Sequence, residues 1–350
     1  MDLVKELQDV LDKSVESGEE CGCQLSVYRY GEPVCNLVSG YTAADQKKKI
    51  TPETLFPVFS VGKGICTTMM MILKDQGKIS FDDPVSEIWE GYEVNGKEST
   101  TIRDVLSHRA GLYTTPDIPL ADRYHWETIC SILEQSAPQD KIGGMHHYHA
   151  YTYGVLTGRI AELADGRPFR QILQEEIIDP LNLNGMFFGI DQKQFDNDVA
   201  FIDGSANMMD DVRMSHNEFC VLNGLNPSSN GCINAESLAK MYASMIGNGM
   251  DGIRLVSEKT IEEATVICRA PEDNDYDQWD KFGLGFALCG PKGNYGRIFG
   301  HGGACGAEGF ADKETGYAIG FTKNKLNGTH PDHPTRNEIS KVLGLPIRIW

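Results

Sequence analysis

The chain has no apolar run long enough to span a bilayer, no internal repeat and no low-complexity linker. It also lacks basic character: 32 Lys and Arg stand against 50 Asp and Glu, a net charge of −18. That balance argues against nucleic acid and anionic membrane as partners, because phosphate contacts need basic patches. The N-terminal stretch from Met1 to Leu11 has no hydrophobic segment of signal-peptide length and carries acids where a transit peptide avoids them. Leu3, Leu7, Val10 and Leu11 instead share one helical face. The ten cysteines are scattered apart from Cys21-Gly22-Cys23, without paired Cys-x-x-Cys metal spacing or the density of a small disulfide scaffold. They read as reduced thiols of a cytoplasmic protein.

What is present is enough for a sizeable core: 350 residues with 41% hydrophobic and 23% charged composition. After the first helix, Gln24–Tyr30 is a β-prone run, Gly31-Glu32-Pro33 a turn, and Val34–Val38 its hairpin partner. From about Phe81 to Ile267 the pattern is mainly helical, and strands return over Gly283–Leu288, Gly296–Phe299, Phe310 and Tyr317–Thr322. A last helix is expected from Arg336 to Leu343. Both ends of the chain thus bracket a helical middle. The expected fold is α+β: one catalytic domain over 1–350, with an antiparallel sheet flanked by terminal helices and an inserted helical lobe. The sheet lobe takes about 1–80 and 281–350 and the helical lobe about 81–280, with a cleft between them for ligand. The loop Ala270–Lys281 is expected to line that cleft.

The chemistry begins at Ser60-Val61-Gly62-Lys63. Ile65, Met69, Ile72 and Leu73 follow at helical spacing and Gly77 is a stop signal, so Ser60 lies at a helix start. Positions three apart share a helix face, which aims the Lys63 amine at the Ser60 hydroxyl, while free N–H groups of the first turn favour a developing oxyanion. A serine needs its proton removed to be a nucleophile. A lysine can remove it only when burial or a neighbouring cation lowers its pKa from roughly 10.4. Phe56, Val58, Phe59 and Ile65 supply apolar walls for that. The pair alone is more commonly the signature of a capped helix with a solvated lysine, so further motifs decide.

Tyr148 precedes His149-Ala150-Tyr151-Thr152-Tyr153-Gly154 and a helix whose buried stripe is Leu156, Ile160, Leu163 and Ala164. At such a loop-to-helix junction a phenol can enter the cleft as a general base or proton relay, while Tyr151 or Tyr153 fits a core role. Gly300-His301-Gly302-Gly303-Ala304-Cys305-Gly306 follows the strand-like Arg297-Ile298-Phe299. Glycines there allow close backbone approach, and the Ala304 N–H could complete an oxyanion hole with that of Ser60.

In this order Ser60-x-x-Lys63, Tyr148 and His301-Gly302-Gly303 resemble the penicillin-recognising serine hydrolases, above all the branch of class C β-lactamase-related esterases that includes eukaryotic β-lactamase-like proteins. Leu106-Ser107-His108-Arg109-Ala110-Gly111-Leu112 resembles that branch's Leu-Ser-His-x-x-Gly-Leu segment. Gly300-His301-Gly302-Gly303, with Glu308-Gly309-Phe310-Ala311-Asp312, looks like its variant of the Lys-Thr-Gly strand. The resemblance runs from about Cys23 to Leu326. It implies a β-lactamase/transpeptidase-like fold with Ser60 as the acylated nucleophile, Lys63 as base partner and Tyr148 as proton shuttle to the leaving group. His301 then takes the place of the strand lysine and holds Tyr148 or a substrate carboxylate, with Gly302, Gly303 and Ala304 giving backbone access. Ala150 stands where class C lactamases carry an amide-binding asparagine, and an unperturbed histidine is mostly neutral at pH 7. Both departures favour small ester, amide or peptide-like substrates over β-lactams.

Three other readings compete. His125, His146, His147 and His149 suggest a metal site, but their spacing matches no zinc motif and solvated loop positions explain them, with His149 near the cleft. Cys66 and Cys305 are either reactive thiols or buried filler. A catalytically idle scaffold or filament-forming protein could keep the same fold. The expectation is an enzyme that needs neither metal nor cofactor, and homo-oligomerisation is left open.

Overall fold

A computed structural model describes residues 2–114, 116–203, 216–268, 281–326 and 333–348. The first helix, α1 (Leu3–Glu16), is capped by the Asp2 carboxylate accepting from the Val4 N–H at 3.1 Å, and it buries Leu7 and Leu11. It leads into β1 (Gly22–Arg29) and β2 (Glu32–Gly40), the expected hairpin. Then come β3 (Phe56–Pro57) and α2 (Val61–Asp75), the helix expected to begin at Ser60. The middle of the chain carries α3 (Thr152–Asp165), β4 (Met186–Phe188), β5 (Gly231–Ile233) and α4 (Ala235–Ala243) among further helices. The chain closes with β6 (Ala287–Cys289), β7 (Ile298–Gly302), β8 (Glu308–Asp312), β9 (Tyr317–Lys323) and α5 (Pro334–Val342).

Six strands form one antiparallel sheet in the order β2-β1-β9-β8-β7-β6, so the N-terminal hairpin sits beside the last strand of the chain. Alternation sorts its two faces. Cys23, Leu25 and Val27 of β1, with Ile319 and Phe321 of β9, pack against Leu7 and Leu11 of α1 and Ile339 of α5. The opposite face takes α4 and then α2, whose residues from Val61 to Leu73 are buried almost without interruption. At roughly 1.5–3 kcal/mol for each large apolar side chain removed from water, that central helix is a main source of stability.

Three features depart from the sequence-based outline. The helical middle contributes β4 and β5, which pair with β3 in a second, three-stranded sheet. Strands of three residues are too short for a period-two signal. Helix α4 falls within the stretch expected to form the helical lobe, yet it packs on β1, β8 and β9. The strand expected at Gly296 begins at Ile298, after a single 3₁₀ turn over Tyr295–Arg297. The acidic loop at Glu272–Asp277 and most of the expected cleft-lining loop lie outside the described residues.

Gln24 ties these layers together. On the α4 side of β1, its amide nitrogen donates to the carbonyls of Thr51 at 2.7 Å and Thr54 at 3.0 Å, on the segment leading to Ser60. Its oxygen accepts from the Ala235 N–H at 2.9 Å, at the start of α4, and from the Thr322 hydroxyl at 3.1 Å. Replacing it orphans buried donors and acceptors on three elements at once. Gln24→Leu is expected to lower unfolding free energy by about 2–3 kcal/mol, read as a lower urea midpoint at unchanged m-value.

Candidate active site

Three short strands deliver the serine. Phe56 pairs with Ile233 and Pro57 with Cys232, and the Val58 N–H donates to the Gly231 carbonyl at 2.9 Å. Phe59 then adopts φ +53°, an unusual left-handed conformation for a bulky residue, held by its ring packing 4.2 Å from that of His216. The chain turns there, and Ser60 becomes the residue just before the first helical position of α2. Its side chain makes no capping bond. The hydroxyl is thereby left to Lys63.

Lys63 is fully buried. Its Nζ lies 3.0 Å from Ser60 Oγ, 2.6 Å from the Ala150 carbonyl oxygen and 3.1 Å from that of Ser228. Burial pulls the ammonium pKa down from 10.5 to about 7, and no carboxylate among the described residues forms an ion pair with it. The uncharged amine has two N–H donors and one lone pair. Both carbonyls can only accept, so they take the two N–H groups, and the lone pair falls on Ser60 Oγ, the one partner with a proton to give. The Ser228 carbonyl reaches Lys63 because Gly62 and Gly154 admit the Pro227-Ser228 backbone between the starts of α2 and α3. A Cβ on Gly62 would collide with the Pro227 carbonyl oxygen, and one on Gly154 with the Ser228 nitrogen.

Tyr148 is positioned by two buried histidines. His108, itself at φ +60°, accepts the His149 N–H on Nδ1 at 3.1 Å, and its carbonyl accepts the His147 N–H at 3.1 Å. His149 reaches the His147 carbonyl through Nδ1 at 2.6 Å and accepts the Leu112 N–H on Nε2 at 3.2 Å. The partners therefore set both tautomers. Burial drives the His149 pKa down to about 4 and holds that of His108 well below its ordinary value, so both stay neutral. On this frame the Tyr148 ring lies 4.9 Å from Lys63 Nζ and 5.0 Å from the His108 ring. Tyr153 is a core residue, with its hydroxyl 2.7 Å from that of Thr67.

His301 faces the same space from β7, its ring 6.1 Å from that of Tyr148. It is buried, and its pKa is lowered to about 3 by desolvation and then by nearby Lys63. The ring is uncharged and supplies no fixed cation for a carboxylate. Gly302 pairs with Glu308, and Gly303 presses against the serine loop so closely that a Cβ would collide with the Val58 carbonyl. The Gly303 N–H is engaged by Ala307 at 2.8 Å. Among the described residues no backbone carbonyl takes the N–H of Ser60 or Ala304.

The structure thus gathers Ser60, Lys63, Tyr148 and His301, with the Gly303-Ala304 turn against the serine loop. His149 is not a solvated loop residue: it is fully buried and braces the tyrosine loop. The other three histidines have separate partners, His147 with Asp140 at 2.9 Å, His125 with Thr128 at 2.7 Å and His146 stacked 5.1 Å from Phe282. Sequence reasoning missed the positioning roles of His108 and His149 and the Ser228 carbonyl. The Leu106–Leu112 segment was a usable signal for the first two. A backbone carbonyl leaves no trace in sequence.

The fold that carries these groups is β-lactamase/transpeptidase-like. The chain belongs to the β-lactamase family, whose sequence profile matches residues 7–343. It is 30% identical over 334 residues to the esterase/β-lactamase LipL of Mycobacterium tuberculosis, covering 87% of this chain and 77% of that protein. Among solved structures it is similar to a family VIII carboxylesterase, with TM-score 0.88 and 25% identity over 98% of this chain and 97% of that one. A penicillin-binding protein homologue from Caulobacter crescentus gives TM-score 0.86 and 27% identity, over 98% and 97% of the two chains. These relatives are hydrolases or their penicillin-binding homologues. Among the described residues, no helix is long and apolar enough to cross a membrane.

Cys66 and Cys305 behave as filler. Burial raises their thiol pKa to about 12 and about 11, far from the thiolate that reacts. Neither should take up iodoacetamide in the native protein at pH 7.5, and both should do so in urea, as mass spectrometry of peptides will report.

Proposed function

We propose that the protein is a serine hydrolase, a single catalytic domain that acts through an acyl-enzyme on small ester or amide substrates, closer to the esterases than to the true β-lactamases of its family. The Lys63 environment carries this reading. Burying a lysine without a carboxylate costs stability, and here the third partner is a hydroxyl with a proton to give, where a structural clamp would use another carbonyl. An amine whose lone pair faces a serine hydroxyl at 3.0 Å is a base in place.

The reaction follows from the groups at hand. Ser60 Oγ bonds to the substrate carbonyl carbon as its proton passes to Lys63 Nζ, and the oxyanion meets the N–H groups of Ser60 and Ala304, an interaction typically worth about 3–4 kcal/mol of barrier. Collapse breaks the bond to the leaving oxygen. Tyr148 protonates that oxygen and recovers a proton from the Lys63 ammonium, 4.9 Å from its ring. Water then attacks the acyl-serine, releases the acid and restores the Ser60 hydroxyl. The relatives support the ester reading: LipL is described as an esterase/β-lactamase, and a carboxylesterase shares the fold. All ten cysteines are free thiols, in keeping with a cytoplasmic or equally reducing location.

Since the neutral amine is the active form, kcat/KM for a nitrophenyl butyrate should be level above pH 7 and fall as pH drops below an apparent pKa near 7. Ser60→Ala and Lys63→Met should each cost about a thousandfold or more in kcat with the fold intact by circular dichroism. A wild-type rate in either variant would overturn the mechanism.

Ala150 turns its carbonyl to Lys63 and offers no side-chain amide, while His301 is neutral. Short acyl esters should therefore be hydrolysed with kcat/KM about a hundredfold or more above cephalosporins, and Ala150→Asn should narrow the gap. Parallel assays on one preparation decide this. Efficient lactam turnover by the unmodified protein would refute the ester preference.

A further inference from the structure

His301 holds an unused acceptor inside the site. Its Nδ1 lies 2.7 Å from the Gly302 carbonyl oxygen, which can only accept, so Nδ1 carries the ring proton. Because the ring is neutral, Nε2 is a bare lone pair. That atom is buried and has no hydrogen-bond partner among the described residues. A buried acceptor left unmet costs free energy that a bound donor recovers.

The ring's neighbours place it on one side of the reacting bond. Its centroid lies 6.1 Å from that of Tyr148, the group assigned to the leaving oxygen, and 6.0 Å from Phe282, which also borders Tyr148 at 6.0 Å. A substituent there belongs to the leaving group, not to the acyl chain. A carboxylate at this point would set a negative oxygen against a lone pair, whereas a hydroxyl would donate to it. Resting on the serine-hydrolase reading above, we propose that His301 Nε2 accepts a hydrogen bond from the alcohol portion of the substrate, so that the enzyme selects esters whose leaving alcohol carries a second hydroxyl.

The test compares 2-hydroxyethyl butyrate with 2-methoxyethyl butyrate, two esters with similar leaving-group electronics that differ in the donor. Wild-type kcat/KM should favour the hydroxyl ester by about tenfold or more. The ratio should stay constant from pH 6 to 9, since His301 titrates far below that window, near 3. His301→Leu should bring the ratio close to one, and His301→Gln, which can present an amide oxygen, should retain part of it. The carboxymethyl ester of butyric acid should be the poorest of the three for the wild type. Equal wild-type rates for the hydroxyl and methoxyl esters would overturn the assignment even if the variants fail to fold, as would an unchanged ratio in folded His301→Leu. Absence of turnover for every ester would overturn the serine-hydrolase reading and this one with it, whereas equal turnover overturns only this one.

Discussion

The burial of one amine between two carbonyls and a hydroxyl is the constraint on which the rest of the site depends. Lys97 makes the point by contrast. Its Nζ donates to the carbonyls of Val94, Glu134 and Ser136 at 2.8, 2.9 and 2.6 Å, and only an ammonium can fill all three acceptors. At Lys63 one carbonyl is replaced by Ser60 Oγ, which can donate as well as accept. The neutral amine then satisfies every partner, and desolvation favours it. The hydroxyl partner, together with Glu134 and Glu93 beside Lys97 and deeper burial of Lys63, separates the two amines.

Holding that amine recruits distant parts of the chain. The Ala150 carbonyl comes from the tyrosine loop and the Ser228 carbonyl from a turn more than 160 residues beyond the lysine. The Ser228 turn is internally braced: the Asn226 side chain accepts the Ser228 N–H at 3.3 Å, and the Asn230 side chain donates to the Val221 and Gly224 carbonyls at 2.8 and 2.9 Å. Loosening any of these would admit water to Lys63 and return its pKa toward the ordinary value, so packing and basicity are one property here.

Among the described residues, the histidines around the serine and the tyrosine carry no charge. His108, His149 and His301 are neutral, and each has the proton-bearing nitrogen dictated by a partner that can play only one role. Neutral imidazoles position the phenol and the strand without competing with Lys63 for protons. A permanent cation in their place would lower the lysine pKa further and would attract anionic substrates. The neutral His301 ring offers no fixed cation to an anionic group.

The sequence by itself determined what is local or periodic. The helix starting at Ser60 was legible because its stripe repeats every three to four residues, and the β1–β2 hairpin because Gly31 and Pro33 punctuate two β-prone runs. Ser60 and Lys63 needed only helical spacing to be brought face to face. Tyr148, His301 and the Gly302-Gly303-Ala304 turn were legible as members of a family pattern, not through any contact that spacing implies. Tertiary structure alone decided that β1 pairs with β9, that α4 leaves the helical stretch for the sheet, and that β3, β4 and β5 form a second sheet from segments too short to carry a period. It also decided the chemistry of the groups found. Whether Lys63 is an ammonium or a base, and whether His301 is a cation or an acceptor, depends on burial and on which atoms come within hydrogen-bond reach, and these are set by segments far apart in the chain.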